Sequence, residues 1–226
     1  RTADRYGLTP ANPPVPFERV MARVREAIRI IEPADSAERY TGLGVDVRQG
    51  HATIVDPWTV AIDGEKRLTT RSIVIAAGGE PVVPDIPGLE ESGYLTSDTL
   101  WDALGERASV PERIVVIGGG PIGCELSQAF ARLGSQVVQV EGGDRIMARE
   151  DAEVSAFVAD ALRADGVDLR LGSKAARVDG KTLVLSDGSS VPFDELIVAV
   201  GRHARLGGYG LEALGIETDK TVVLDD

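Results

Sequence analysis

Apolar positions recur along this chain in two rhythms. Phe17, Val20, Met21, Val24, Ile28 and Ile31 return at helical spacing after the prolines 13, 14 and 16, until Pro33 stops them, which predicts one amphipathic helix. The runs at 45–49, 52–55 and 59–62 are rich in β-branched residues and separated by Gly50, Pro57 and Asp63-Gly64, which predicts a small antiparallel meander. Residues 72–77 are apolar after Ser72 and end at Gly78-Gly79, the pattern of a strand buried on both faces. Residues 80–111 carry Pro81, Pro84, Pro87 and Pro111 with little periodicity and read as a connector, which places a domain boundary near residue 108.

From Arg113 the order becomes regular. A short apolar strand at 114–117 meets the turn Gly118-Gly119-Gly120. Ile122, Leu126, Ala129, Phe130 and Leu133 then form a helical stripe closed by Gly134, and a second strand follows at 136–140. Val154, Phe157, Val158, Ala161 and Leu162 predict another helix, with Asp151 as N-cap and Gly166 as its stop, before a third strand at 167–171. This is a βαβαβ order. Runs at 175–178, 182–185 and 196–200 read as further strands, the last ending at Gly201 in a weak echo of the run that ends at Gly78.

Composition narrows the class. The 226 residues carry 36 acidic and 24 basic side chains, a net charge of −12, with no Lys/Arg cluster, so nucleic acid and anionic membranes are poor partners. With 43% apolar residues the chain can bury a core. One cysteine and two histidines support neither a disulfide nor a zinc site, and no metal is expected. No apolar run approaches the ~20 residues of a membrane helix. Nothing after Arg1 has the zones of a signal peptide, so the expected location is cytoplasmic, and the chain is expected to be a piece of a longer protein.

Chemistry enters at Gly118-Gly119-Gly120-Pro121-Ile122-Gly123, which satisfies G-x-G-x-x-G where a strand hands over to a helix. Gly118 suits the tight turn, Gly120 a close approach of backbone to pyrophosphate, and Gly123 close helix–strand packing. Pro121 suits the first helical turn, where its missing N–H would be unpaired anyway, and free N–H groups there face phosphates. The second strand ends in Glu141, 18 residues past Gly123, where a carboxylate can accept from both hydroxyls of an adenosine ribose and would repel a 2′-phosphate. This favours NAD(H) over NADP(H), with the nearby Arg145 complicating the charge.

Residues 114–125, Gln128 through Gly134, and Ala199-Val200-Gly201-Arg202 together resemble the FAD-dependent pyridine nucleotide-disulfide oxidoreductases, nearest to their mercuric reductase and dihydrolipoamide dehydrogenase members. Gly50-His51-Ala52, Ile75-Ala76-Ala77-Gly78 and Tyr94-Leu95-Thr96-Ser97-Asp98 extend the likeness over nearly the whole chain. The resemblance implies an α/β fold: a Rossmann-like NAD-binding domain at 108–201, inserted in a partial FAD-binding domain at 1–107 with a return segment at 202–226. It implies FAD contacts at Ala52, Ala77 and Gly78, and NAD contacts at Val178 and Gly201. It also implies that Glu125, which a helix-dipole role explains equally well, pairs in relatives with a lysine near the flavin. That lysine is not evident here, nor is the tyrosine that some relatives carry at the position of Pro121.

The family's disulfide chemistry needs two cysteines four residues apart, and this chain has only Cys124, which reads as a packing residue. A first FAD fingerprint, the later Gly-Asp for the flavin and the His/Glu pair of the dimer domain are also not evident. Three functions stay open. One is a stretch of an oxidoreductase passing hydride from NADH to FAD and on to a small-molecule disulfide, metal-ion or other acceptor, homodimeric when whole. The others are a dinucleotide-binding or sensing module, and a cysteine-independent flavin NADH oxidase. His51, His203 and the acidic run at 149–153 read as surface, packing or capping residues.

Overall fold

A computed structural model describes residues 15–224 together with Gly7 and Thr9; prolines 13 and 14 lie outside the described residues. In chain order the elements are α1 (Phe17–Ile31), α2 (Ala37–Gly42), β1 (Ala52–Asp56), β2 (Thr59–Ile62), β3 (Lys66–Thr69), β4 (Gly79–Pro81), α3 (Leu100–Ala103), β5 (Arg113–Ile117), α4 (Pro121–Leu133), β6 (Gln136–Val140), α5 (Ala152–Ala164), β7 (Asp168–Arg170), β8 (Ala175–Asp179), β9 (Thr182–Leu185), β10 (Ser190–Pro192), β11 (Glu195–Val198) and β12 (Arg202–Ala204). Contacts divide the chain into two units, the described residues up to Ile30 with Val83–Val200, and Ile31–Val82 with the described residues from Gly201 onward.

The first unit is a three-layer α/β assembly around a parallel sheet in the order β11-β5-β6-β7. Its inner strand β5 and its neighbour β11 are mostly apolar because both faces are covered. Ile114, Val116, Val137 and Ile197 face a core with Phe130 of α4, Leu162 of α5 and Phe17 and Met21 of α1. Val115, Ile117, Leu196 and Val198 face a second core with Leu183 and Phe193, beneath the antiparallel sheet β10-β9-β8. Leu95, Leu100 and Leu104 are buried in the first core and Leu89 in the second. The expected boundary near residue 108 therefore falls inside this unit, because 83–107 supplies core side chains despite its weak periodicity. Only the first half of α1 packs as predicted; Ile28, Ile30 and Ile31 are exposed.

Helix α4 ends as the sequence predicts. Gly134 takes φ 112°, and its N–H caps the Phe130 and Ala131 carbonyls. An added Cβ there meets no atom, so Gly134→Ala isolates the cost of the left-handed backbone. It should cost about 1 kcal/mol and lower the thermal midpoint by roughly 2–4 °C, read by calorimetry. Asp151 does stand at the N-cap of α5, but its side chain makes no capping bond.

The second unit corrects three expectations. Residues 45–49 are not a strand; the meander is β1-β2-β3, whose third strand is the polar Lys66–Thr69. The run 72–77 is not a buried strand but a stretch without regular secondary structure, and Val74 is 88% exposed. Its apolar sequence has no covering layer among the described residues. The echo between Gly78 and Gly201 has a structural meaning that the sequence did not reveal. The residues after each glycine pair antiparallel, His203 opposite Glu80 and Ala204 opposite Gly79, beside a bond from the Val82 N–H to the Gly201 carbonyl at 2.9 Å.

Candidate functional site

The turn between β5 and α4 is fixed on every side. Gly118 has φ 119°, and an added Cβ would lie 2.3 Å from the Ala199 carbonyl oxygen. Its N–H donates to Val140 O at 2.8 Å, and its carbonyl accepts from Gln139 Nε2 at 3.0 Å. The Gly119 N–H donates to Glu141 Oε2 at 2.6 Å, while Gly119 O accepts from the Met147 N–H at 2.7 Å. At Gly123 a Cβ would come 2.3 Å from Gly118 O, so helix and strand touch there as the motif requires.

Beyond the turn the chain is open. An added Cβ at Gly120 meets no atom, and its N–H has no partner among the described residues. The N–H groups of Ile122 and Gly123, in the first turn of α4, have no carbonyl one turn earlier to bond within the helix. This end carries the positive pole of the helix dipole. A cleft of about 430 Å³ is lined by Gly118, Gly119, Gly120 and Glu141, as the sequence predicts, and also by Asp85, Ser173, Lys174 and Val200. The last four come from segments whose approach to the turn is set by tertiary packing; of these only Val200 lies in a segment the sequence marked.

Glu141 is engaged before any ligand arrives. Its second oxygen accepts from the Gly143 N–H at 2.7 Å, so the carboxylate ties the turn to the loop after β6. Each oxygen keeps a further lone pair for a ribose hydroxyl. Arg145, which complicated the charge balance, donates to the Glu150 and Ala148 carbonyls. The cation that lines the cleft is instead Lys174, whose stem lies over Gly142.

The remaining candidates are not among the residues that line this cleft. Val178 is buried with its N–H on Pro87 O at 2.8 Å, and its own carbonyl faces Gly88, outside the cleft lining. Pro121 and Glu125 line a second cavity of about 190 Å³ with Cys124 and Met147. Cys124 is buried there, and burial pushes its thiol above the ordinary range, as suits a packing residue rather than a nucleophile. In the second unit Ala52, Ala77, Gly78 and Gly201 are all exposed. His51 bonds to Gly208 O at 2.8 Å and His203 to Glu80 Oε1 at 2.9 Å. Among the described residues no group of three or more His, Cys, Asp or Glu could hold a metal ion, and no helix is long and apolar enough to cross a membrane.

Relatives carry the same architecture. The chain is 37% identical over 182 residues to mercuric reductase of Lysinibacillus sphaericus, covering 77% of this chain and 32% of that protein. It is 38% identical over 192 residues to dihydrolipoyl dehydrogenase of Pseudomonas aeruginosa, covering 81% of this chain and 40% of that protein. Among solved structures, the HOCl-induced flavoprotein disulfide reductase RclA of Escherichia coli superposes with a TM-score of 0.79 at 26% identity, over 94% of this chain and 49% of that one. The chain thus spans 32% to 49% of the length of these relatives. The sequence profile of the pyridine nucleotide-disulphide oxidoreductases matches residues 9–226, and the chain belongs to that family.

Proposed function

We propose that this chain is the dinucleotide-binding portion of a flavin-dependent oxidoreductase that takes hydride from NADH to FAD and onward to a disulfide, metal ion or other small-molecule acceptor. The observation that carries this reading is the glycine turn with outward N–H groups and Glu141 in one cleft. When bound, the nicotinamide supplies a hydride and the flavin accepts it. The chain's own part is binding and orientation. The Gly120, Ile122 and Gly123 N–H groups take the pyrophosphate, and Glu141 accepts from the ribose hydroxyls. Glu125, exposed and without a side-chain partner among the described residues, is the supporting residue toward the flavin side. Family likeness assigns FAD to Ala52, Ala77 and Gly78, whose exposed backbone leaves room for it: an added Cβ at Gly78 meets no atom. In the intact protein the reading extends to a cytoplasmic homodimer.

Lys174 favours a second reading, in which NADPH is also accepted, because an ammonium in the cleft offsets part of the repulsion between Glu141 and a 2′-phosphate. Calorimetric titration separates the two. NADH should bind with a Kd between about 1 μM and 1 mM and NADPH more weakly. Equal affinities would transfer the specificity to Lys174, and no binding of either would refute the dinucleotide site. The alternative of a binding module without chemistry predicts the same titration but no flavin reduction by NADH in the full-length protein.

A further inference from the structure

One core position is polar where packing asks for an apolar side chain. Along β6 the side chains alternate, Val138 and Val140 toward the strand layer and Val137 toward the helices. Gln139 belongs to the helix-facing row with Val137, and it is wholly buried. Its Oε1 has no hydrogen-bond partner among the described residues, and neither does the buried Ser127 Oγ on α4. An orphaned amide oxygen is unfavourable, so the compensating interaction must come from the other end of the amide. There Nε2 donates to Gly118 O at 3.0 Å and lies 3.5 Å from Cys124 Sγ. A flipped amide would set oxygen against the Gly118 carbonyl, so the hydrogen-bond partners fix its orientation.

Three successive residues thereby hold two consecutive peptides, and two of them, Gln139 and Glu141, hold the Gly118–Gly119 peptide at both ends. Val140 O takes the Gly118 N–H, Gln139 gives to the Gly118 carbonyl, and Glu141 takes the Gly119 N–H. A Gly-Gly peptide is the softest unit of such a turn, free to rotate its plane at little steric cost. Rotated, it would aim a carbonyl where phosphate oxygens approach. We propose that Gln139 is a positioning residue for dinucleotide binding. It locks the Gly118–Gly119 peptide in the orientation that keeps the cleft lined by N–H groups, and so spares the ligand the selection of a minor state. The proposal rests on the reading of the cleft as a dinucleotide site.

Gln139→Met tests it, because methionine fills the same volume without donor or orphaned acceptor. The variant should keep its thermal midpoint within roughly 3 °C and bind NADH about five- to tenfold more weakly, the weight of one net hydrogen bond. Ser127→Ala, which removes the other orphan from the same layer, should leave the Kd unchanged. An unchanged Kd in Gln139→Met, or equal weakening in Ser127→Ala, overturns the proposal. So does failure of both Gln139→Met and Gln139→Leu to fold, which would make the residue a requirement of the fold. A wild-type chain that binds neither NADH nor NADPH would instead overturn the reading of the cleft.

Discussion

Gly118→Ala is expected to abolish NADH binding and to destabilise the chain by roughly 3–5 kcal/mol. Two costs coincide. The backbone at φ 119° disfavours any L side chain, and the added methyl would lie 2.3 Å from Ala199 O and 2.6 Å from Ala199 C. Both atoms are backbone rather than the end of a flexible side chain, and the Ala199 N–H is bonded to Ile117 O at 2.8 Å at the end of β5. Gly120→Ala provides the contrast, since its added carbon meets no protein atom. That variant should keep its melting temperature and lose affinity for NADH, because the carbon enters the space a pyrophosphate would use. Chemical denaturation and titration of both variants decide the matter. A Gly118→Ala protein of wild-type stability would show that the turn is more compliant than its contacts imply.

The second large effect is expected at Glu141, where recognition and structure share one carboxylate. Glu141→Ala removes the acceptor for two backbone donors, Gly119 N–H and Gly143 N–H. Leaving such donors without a partner costs about 1–3 kcal/mol in stability. Binding of NADH should fall at least tenfold besides, through the loss of ribose hydrogen bonds and of the tie between turn and loop. Glu141→Gln should fall between, because its amide nitrogen cannot accept and one of the two N–H groups is left facing a donor. A carboxylate that served only the ribose would leave thermal stability untouched in both variants. Unfolding measured with and without NADH separates these outcomes.

Much of the first unit was legible in the chain because each βαβ element carries its own punctuation. Gly134 caps α4, Gly166 follows α5, and the centres of β5 and β6 are buried on both faces, which makes them apolar apart from Gln139. The dinucleotide turn and Glu141 were legible for a related reason: steric demands fix glycine at Gly118 and Gly123, and the end of β6 fixes the carboxylate. Asp85, Ser173 and Lys174 were not, since loop residues reach the cleft through packing of distant segments and no local pattern encodes that. The run 72–77 misled in the opposite sense. Hydrophobicity states what a strand could bury, whereas burial depends on what lies beside it, and Val74 has nothing there. Lys66–Thr69 was missed because it is exposed along its whole length and shows no apolar alternation.

The pairing of Gly79–Pro81 with Arg202–Ala204 also bears on how such a chain could be rearranged. A segment of more than a hundred residues departs after Val82 and comes back at Gly201, yet these two residues share a hydrogen bond. To the chain that hosts it, the excursion therefore amounts to a hairpin loop, and the entropy of closing a loop grows only slowly with its length. A cassette with abutting ends can be exchanged or lengthened with little penalty to its surroundings. The exchange would be incomplete in one respect, because Phe17 and Met21 of α1, far outside the cassette in sequence, occupy its core and would have to travel with it or be replaced.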